Sequence, residues 1–328
     1  MLVHPAAILF ITLLSVSVLI MVSANSWFTA WVGLEMNLLS FVPLIVAKKN
    51  KYSVESALKY FLVQAFASIF IILSTCLTAD TRLYMGVLGA SLLLKSGSAP
   101  THQWMPSMAE GLSWPSLTLL MTLQKMGPIV MIFFLSKPDF LTLVLYLYVT
   151  ASATIGAVGG LSQSSLRKVL VYSSIAHMSW VLATLLQDSC LWLLYFSAYA
   201  LVVTSFISLL AYSQMSSLNH ITTMNKSFAS TVVAMTLMSL GGLPPFTGFV
   251  PKLMTVQLLA PTNLAFLLFP LLASTFVSLF FYARLLVATI ITAGSSQMPV
   301  SLAPFSSSNL LAANLMGLLL PSLCFVLM

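Results

Sequence analysis

The stretch KSGSAPTHQWMP, Lys95–Pro106, lies inside an apolar run that extends over residues 83–107. Its glycine, polar side chains and two prolines divide that run, because proline removes a backbone donor and clashes with the preceding helical turn. A second stretch, SLGGLPPFTGFVPK, Ser239–Lys252, interrupts the apolar run 227–258 in the same manner. Two prolines stand six residues apart in each, Pro100 with Pro106 and Pro245 with Pro251, and Pro244 adds one more to the later stretch. The two pairs are 145 positions apart.

Outward from these breaks the chain is apolar from end to end. Hydrophobic residues make up 59% of the 328 and charged residues 6%, and the mean hydropathy is +1.04. A soluble domain needs far more charge to wet its surface, so the fold class is an all-α polytopic membrane protein, one membrane domain over 1–328. Runs long enough to cross ~30 Å of hydrocarbon give about eleven transmembrane helices: 3–22, 24–46, 53–76, 83–107, 114–136, 139–161, 166–187, 190–213, 227–258, 263–290 and 308–327. The 145-residue offset, with Glu35 and His177 related by nearly the same spacing, implies two five-helix repeats, 3–136 and 139–290, with 308–327 added. Five is odd, so the two copies are expected in inverted orientation, each with a proline-broken helix. Paired broken helices in inverted repeats place an ion path near the bilayer midplane; otherwise the prolines only kink lipid-facing helices.

The net charge of +7 is a matter of topology. Lys48, Lys49, Lys51, Arg167, Lys168 and Lys226 fall in loops or helix ends on one side. Asp80 with Arg82, Lys137 with Asp139, and Asp188 nearly cancel on the other. The positive-inside rule then puts the N-terminus inside and the C-terminus outside. No basic stripe with interleaved aromatics suggests a nucleic-acid partner. No Lys or Arg precedes Lys48, so the first apolar run is expected to be a retained span, not a signal peptide or presequence. Cys76, Cys190 and Cys324 are scattered, as apolar fillers are, with no spacing suited to a metal cluster or a disulfide framework.

Ionisable residues inside the spans are few: Glu35, Lys59, Lys95, Lys125, His177 and Lys252, with Arg284 near the end of one. On insertion scales a charge at a helix centre costs ~2.5–3.5 kcal/mol, so Glu35, Lys95, Lys125 and Lys252 together cost on the order of 10 kcal/mol. That rivals a whole folding free energy of ~5–15 kcal/mol. Such groups persist when paired, hydrated and useful, either as satisfied ion pairs or as an ion path. Thr118, Thr122 and Lys125 share one helix face, where the hydroxyls can hold water. Pro128 deprives the Gln124 carbonyl of its helical donor, as Pro100 does for Ser96 and Pro245 for Gly241. Arg167, Ser174 and His177 share another face; His177 is either a proton relay or a hydrogen-bonded packing residue. Lys59 follows Glu55 by four residues, as in a local pair that snorkels, while His4, His220 and Glu110 read as loop or terminal groups. A lysine that passes protons must spend part of its cycle neutral. Burial disfavours its charged form and a nearby carboxylate restores it, which makes Glu35 the candidate modulator of Lys95.

There is no Walker loop, GxGxxG, HExxH or Ser/His/Asp constellation, and the histidines do not face one another as haem ligands would. No bond chemistry is expected in the chain, and an energy source is expected in a partner.

WVGLEMN (31–37), LKYFLVQAFAS (58–68), KSGSAPTHQWMP (95–106), LQKMGP (123–128), LRKVLVYSSIAHMSW (166–180) and LGGLPPFTGFVPK (240–252), in this order, resemble the antiporter-like membrane subunits of respiratory complex I. Their relatives are multisubunit cation/proton antiporters. The resemblance covers about residues 24–290. Lys at 252 where other members have Glu, and the length, favour the short branch over the longer subunits 4 and 5. The chain looks like animal mitochondrial members that lack the three leading helices of bacterial counterparts.

The resemblance implies a proton-translocating subunit in the mitochondrial inner membrane, with the N-terminus in the matrix and the C-terminus in the intermembrane space. It makes Glu35 and Lys95 the modulator and carrier, Lys125 the central lysine and Lys252 the lysine of the second break, with His177 and His102 as possible relays. Thr101 departs from the pattern, since many relatives have Phe before this histidine. NADH, flavin, iron–sulfur clusters and ubiquinone are implied for partner subunits, with no cofactor or metal in this chain. Implied partners are the other membrane-arm subunits, especially antiporter-like subunit 4 and small subunit 4L, accessory subunits, and phospholipid including cardiolipin. The competing reading is a subunit of a sodium/proton antiporter driven by ion gradients. A single interior carboxylate against three lysines favours protons over sodium. A structural scaffold with an idle ion-pair network is the third reading.

Overall fold

A computed structural model of the chain describes residues 5–47, 50–76, 81–135, 138–187, 189–213, 228–244 and 246–292. Pro245, the charged loop residues Lys48, Lys49, Asp80, Lys137, Asp188 and Lys226, the histidines His4 and His220, and the expected span 308–327 lie outside them. The described residues form helices and no strand: α1 (Pro5–Val22), α2 (Trp27–Val46), α3 (Lys51–Cys76), α4 (Thr81–Ser96), α5 (Trp104–Ala109), α6 (Trp114–Met121), α7 (Leu123–Phe134), α8 (Asp139–Leu161), α9 (Leu166–Leu185), α10 (Leu191–Ser213), α11 (Phe228–Gly241), α12 (Phe249–Leu259) and α13 (Leu268–Thr292), with a 3-10 turn at Ala265–Leu267 before the last. Among them, eight segments are long and apolar enough to cross a membrane. The runs 83–107 and 227–258 are instead pairs of shorter helices, α4 with α5 and α11 with α12.

Helix α3 shows which solvent this fold is built for. Leu58, Phe61, Leu62, Phe66, Ile69 and Leu73 are exposed, whereas Ser56, Tyr60, Gln64, Ser68 and Ser74 are buried. Spacings of three and four put each set on one stripe, and the stripes are reversed relative to a water-soluble helix. Polar groups inside and large apolar groups outside suit a hydrocarbon surround. Hydroxyls buried this way turn onto their own helix, as Ser56 does to the Ser53 carbonyl at 2.8 Å and Ser74 to that of Ile71 at 2.6 Å. The start of α2 is closed by Ser26 and Thr29 in a reciprocal capping box.

The chain divides into two compact units, residues 1–151 and 152–328, with the division inside α8. In the first unit α1 to α4 pack in sequence order, and α7 packs against α1, α2 and α4. In the second, α9 is buried along almost its whole length and touches α10, α12 and α13.

Glycine, more than proline, sets where the interrupted helices stop. The Gly97 N–H donates to Leu94 O and that of Ser98 to Leu93 O, with Gly97 at φ +72°. The Gly242 N–H reaches Ser239 O and that of Leu243 reaches Met238 O, with Gly242 at φ +78°. Both are Schellman ends, in which a left-handed residue lets the chain fold back onto its last carbonyls. Every part of the second motif lies 145 residues after its counterpart in the first. The chain resumes helix at Trp104 and Phe249, and Pro106 and Pro251 each occupy the third helical position, where no intrahelical donor is needed. The expected span 114–136 is one of the eight crossing segments, with its helix locally interrupted. Its break falls at Thr122 (φ −113°, ψ −85°) and not at Pro128, which sits inside α7.

Candidate functional site

In the first unit, side chains of α2, α3, α4 and α7 converge. The Tyr60 hydroxyl donates to Gln124 Oε1 at 2.8 Å, and Gln124 Nε2 donates to Asn37 Oδ1 at 2.7 Å. Gln64 Nε2 donates to the Lys95 carbonyl at 3.4 Å. Around this chain of polar groups the Tyr60 ring packs edge-on against Phe41, with centroids 5.1 Å apart, and lies 6.0 Å from the Trp104 ring. A buried network of this kind holds its helices in one register, provided each member keeps its partner. Gln124→Leu leaves the Tyr60 hydroxyl and the Asn37 amide unpaired, at about 1–3 kcal/mol for each. The expected result is a lower melting temperature of the assembled protein in detergent; an unchanged one would remove the network's structural role.

Lys95 stands in the last turn of α4 and is buried. A cation there meets the negative end of the helix dipole. Glu35, on α2, is within electrostatic range of both Lys95 and Tyr60, and its Oε1 is buried without a hydrogen-bond partner. The other acidic side chains among the described residues, Glu55, Glu110 and Asp139, are exposed. Lys125 is in the first turn of α7, just past the break, and is fully enclosed. The hydroxyls on its face donate to their own helix, and their oxygens remain able to accept. Thr118 Oγ1 donates to Pro115 O and Thr122 Oγ1 to Thr118 O, both at 2.7 Å. His102 is buried in the first break, with Nδ1 3.2 Å from Pro100 O.

Side chains close both helix ends. Leu94 O accepts the Trp104 indole N–H at 3.1 Å, so the restarting helix caps the one that ended. In the second unit a cation closes the helix end at a different carbonyl, two residues further on in the corresponding turn: Lys252 Nζ donates to Gly241 O at 2.8 Å. Lys252 is in the first turn of α12, the unfavourable end of its own helix for a positive charge, and its side chain reaches back to the favourable end of α11. The close approach needs Gly242, where a Cβ would meet Lys252 Nζ and Cδ at 2.9 Å.

His177 Nδ1 lies 2.9 Å from the Tyr195 hydroxyl, and its ring is 5.1 Å from that of Tyr199. His177 and Lys252 line one small cavity with Ser173, Ser274, Ser278 and Tyr282. Lys59 pairs with Glu55 at 2.7 Å in the exposed part of α3, away from these groups. Arg284 closes the end of α8 by donating to the carbonyls of Leu161 and Gln163, each at 3.1 Å. Among the described residues no group of three or more His, Cys, Asp or Glu could hold a metal.

Sequence reasoning alone does not single out the side chains of Asn37, Tyr60, Gln64 and Gln124. Tyr60 and Gln64 stand four apart in LKYFLVQAFAS, and Gln124 precedes Lys125. Those spacings were readable as a polar stripe, but which stripes meet depends on the packing of α2, α3 and α7.

The transmembrane family model described as NADH:quinone oxidoreductase/Mrp antiporter matches residues 24–81 and 78–280. NADH-ubiquinone oxidoreductase chain 2 of Aedes aegypti is 38% identical over 339 aligned positions, covering 98% of this chain and 98% of that one. Chain 2 of Anopheles gambiae is 38% identical over 289, covering 84% of each. Among solved structures, respiratory complex I from Thermus thermophilus with bound aureothin contains a chain that superposes with a TM-score of 0.82 at 24% identity, over 95% of this chain and 78% of that one.

Proposed function

The chain belongs to the NADH:quinone oxidoreductase/Mrp antiporter family, among the chain 2 members of NADH-ubiquinone oxidoreductase, and from that membership we propose that it is a core membrane-arm subunit of mitochondrial respiratory complex I. It carries protons across the inner membrane, driven by NADH oxidation and ubiquinone reduction in partner subunits.

The observation that carries this reading is the placing of three buried lysines. Lys95, Lys125 and Lys252 are 6%, 1% and 8% exposed, and each lies within about a turn of a helix interruption. Interrupted helices admit water and present unpaired backbone groups at membrane depth. An amine there can take up and give back a proton where regular helix and hydrocarbon offer no path. Glu35 is the modulator: approach of its carboxylate favours charged Lys95, and withdrawal favours release. His102 and His177 relay between lysines. The 145-residue correspondence of the two breaks supports two inverted five-helix repeats, 3–136 and 139–290, within eleven spans. The N-terminus then faces the matrix and the C-terminus the intermembrane space. The neighbours are the other complex I subunits, and more narrowly antiporter-like subunit 4, small subunit 4L, accessory subunits and phospholipid including cardiolipin. The flavin, iron–sulfur clusters and quinone site reside in other subunits.

Two measurements test the reading. The chain comigrates in native electrophoresis with a large assembly that oxidises NADH; migration in a small particle without that activity would refute the assignment. In the assembled enzyme, Glu35→Gln removes the carboxylate charge near Lys95 and so shifts the pH at which coupled turnover is half-maximal. An unchanged pH profile would make Glu35 a structural partner only.

A further inference from the structure

His177 stands between two small cavities within the second unit. One is lined by Ser173, His177, Lys252, Ser274, Ser278 and Tyr282, and the other by His177, Tyr195, Tyr199, Ser239, Leu240 and neighbouring groups. Each leaves about 10 Å³ for the centre of a water molecule, the lower bound of the ~10–15 Å³ that one bound water needs. The first is the more polar. Its serines have already spent their hydrogens on their own helices: Ser173 donates to Leu170 O at 2.7 Å, Ser274 to Leu271 O at 2.7 Å and Ser278 to Thr275 O at 2.9 Å. Their oxygens remain able to accept.

Tyr282 completes the set. It is 2% exposed, and its hydroxyl makes no well-formed hydrogen bond, with only a loose contact to the Ser173 side chain. A buried hydroxyl whose bond is incomplete costs up to about 1–3 kcal/mol, so a better-placed acceptor is favoured. Lys252 needs one as well, since its ammonium has three hydrogens and Gly241 O takes one of them. A single water in the cavity accepts from both and returns its own hydrogens to a serine oxygen and toward His177. That is the two-to-four-partner environment in which buried water is held. Beyond the histidine, the Tyr199 hydroxyl likewise makes no well-formed hydrogen bond beside the second cavity.

We propose that Tyr282 fixes a water molecule in this cavity and that the water links Lys252 to His177, which makes Tyr282 a positioning residue for proton movement between α12 and α9. The inference rests on the proton-carrying role proposed above. In one step the water takes a proton from the Lys252 ammonium, leaving a neutral amine, and passes one of its own hydrogens to the imidazole; in the reverse step each charge returns to its source. Tyr282 keeps its proton throughout and only orients the water.

The test is Tyr282→Phe, which removes one oxygen and keeps the ring, in the assembled enzyme reconstituted into liposomes. Assembly and uncoupled NADH oxidation are expected at wild-type levels. Coupled proton pumping falls by roughly three- to tenfold, the rate equivalent of one hydrogen bond, and its solvent deuterium isotope effect changes. A cryo-EM map of the wild type that resolves buried water shows density between Tyr282 and Lys252, and the variant lacks it. An empty cavity in such a wild-type map would overturn the inference. So would wild-type pumping by Tyr282→Phe with an unchanged isotope effect. Lys252→Ala, measured alongside, separates two failures. Wild-type pumping by Lys252→Ala would refute the proposed function itself, whereas an impaired Lys252→Ala with an intact Tyr282→Phe would remove only the role of Tyr282.

Discussion

Lys125→Ala in the assembled enzyme lowers the proton flux through this chain by on the order of a hundredfold or more, since a positioned proton-transfer group contributes roughly 10²–10⁴-fold. Lys125 is the most deeply buried of the three lysines, at 1% exposure, in the first turn of α7. Alanine there leaves no side chain to hold the proton at that depth. The measurement is protons pumped per NADH oxidised, with the rate of coupled oxidation. Lys125→Arg is the informative companion, because guanidinium keeps the charge and does not deprotonate. If charge alone mattered, arginine would restore pumping. If proton transfer matters, arginine fails as alanine does while the enzyme still assembles. Wild-type pumping and turnover in both variants would remove Lys125 from the path.

The second large effect is structural. A Cβ on Gly248 would run into the backbone carbonyl of Ser239, in the last turn of α11. Flexible side chains yield to such a contact, but this carbonyl is tied into the helix end that also receives the Gly242 N–H. Overpacking typically costs ~1–3 kcal/mol and sometimes more, and the rigid neighbour puts Gly248→Ala at the upper end of that range. Any relief that moves Gly248 from Ser239 also pulls α12 from α11 and stretches the bond from Lys252 to Gly241 O. We expect little assembled enzyme from Gly248→Ala, and in what assembles a lower melting temperature. A normal yield with unchanged stability would show that the break is looser than its geometry.

Much of this was legible in the sequence because the solvent is hydrocarbon. A charge inside a 20-residue apolar run is costly wherever the run packs, so Glu35, Lys95, Lys125 and Lys252 stand out without any knowledge of their neighbours. The interrupted runs were equally plain from Pro100 with Pro106 and Pro245 with Pro251. What stops the helices was less so. Proline is the louder signal, but the turn is made by Gly97 and Gly242, whose left-handed backbone lets the chain double back. The interruption at Thr122 has no glycine or proline at that position to announce it. The hydrogen-bonded chain from Tyr60 through Gln124 to Asn37 was hidden for a related reason. Amides and phenols are cheap enough in a membrane helix to pass for packing residues until two helices bring them face to face.

The two helix breaks are built to one plan and fastened differently. At the first, the side chain that closes the helix end is the Trp104 indole, which donates to Leu94 O and keeps its hydrogen at any physiological pH. At the second it is the Lys252 ammonium, which still has a hydrogen to give after losing a proton but forfeits the charge-assisted strength of the bond. Of two like joints, one is riveted and the other is held by a latch that would slacken if its ion departed.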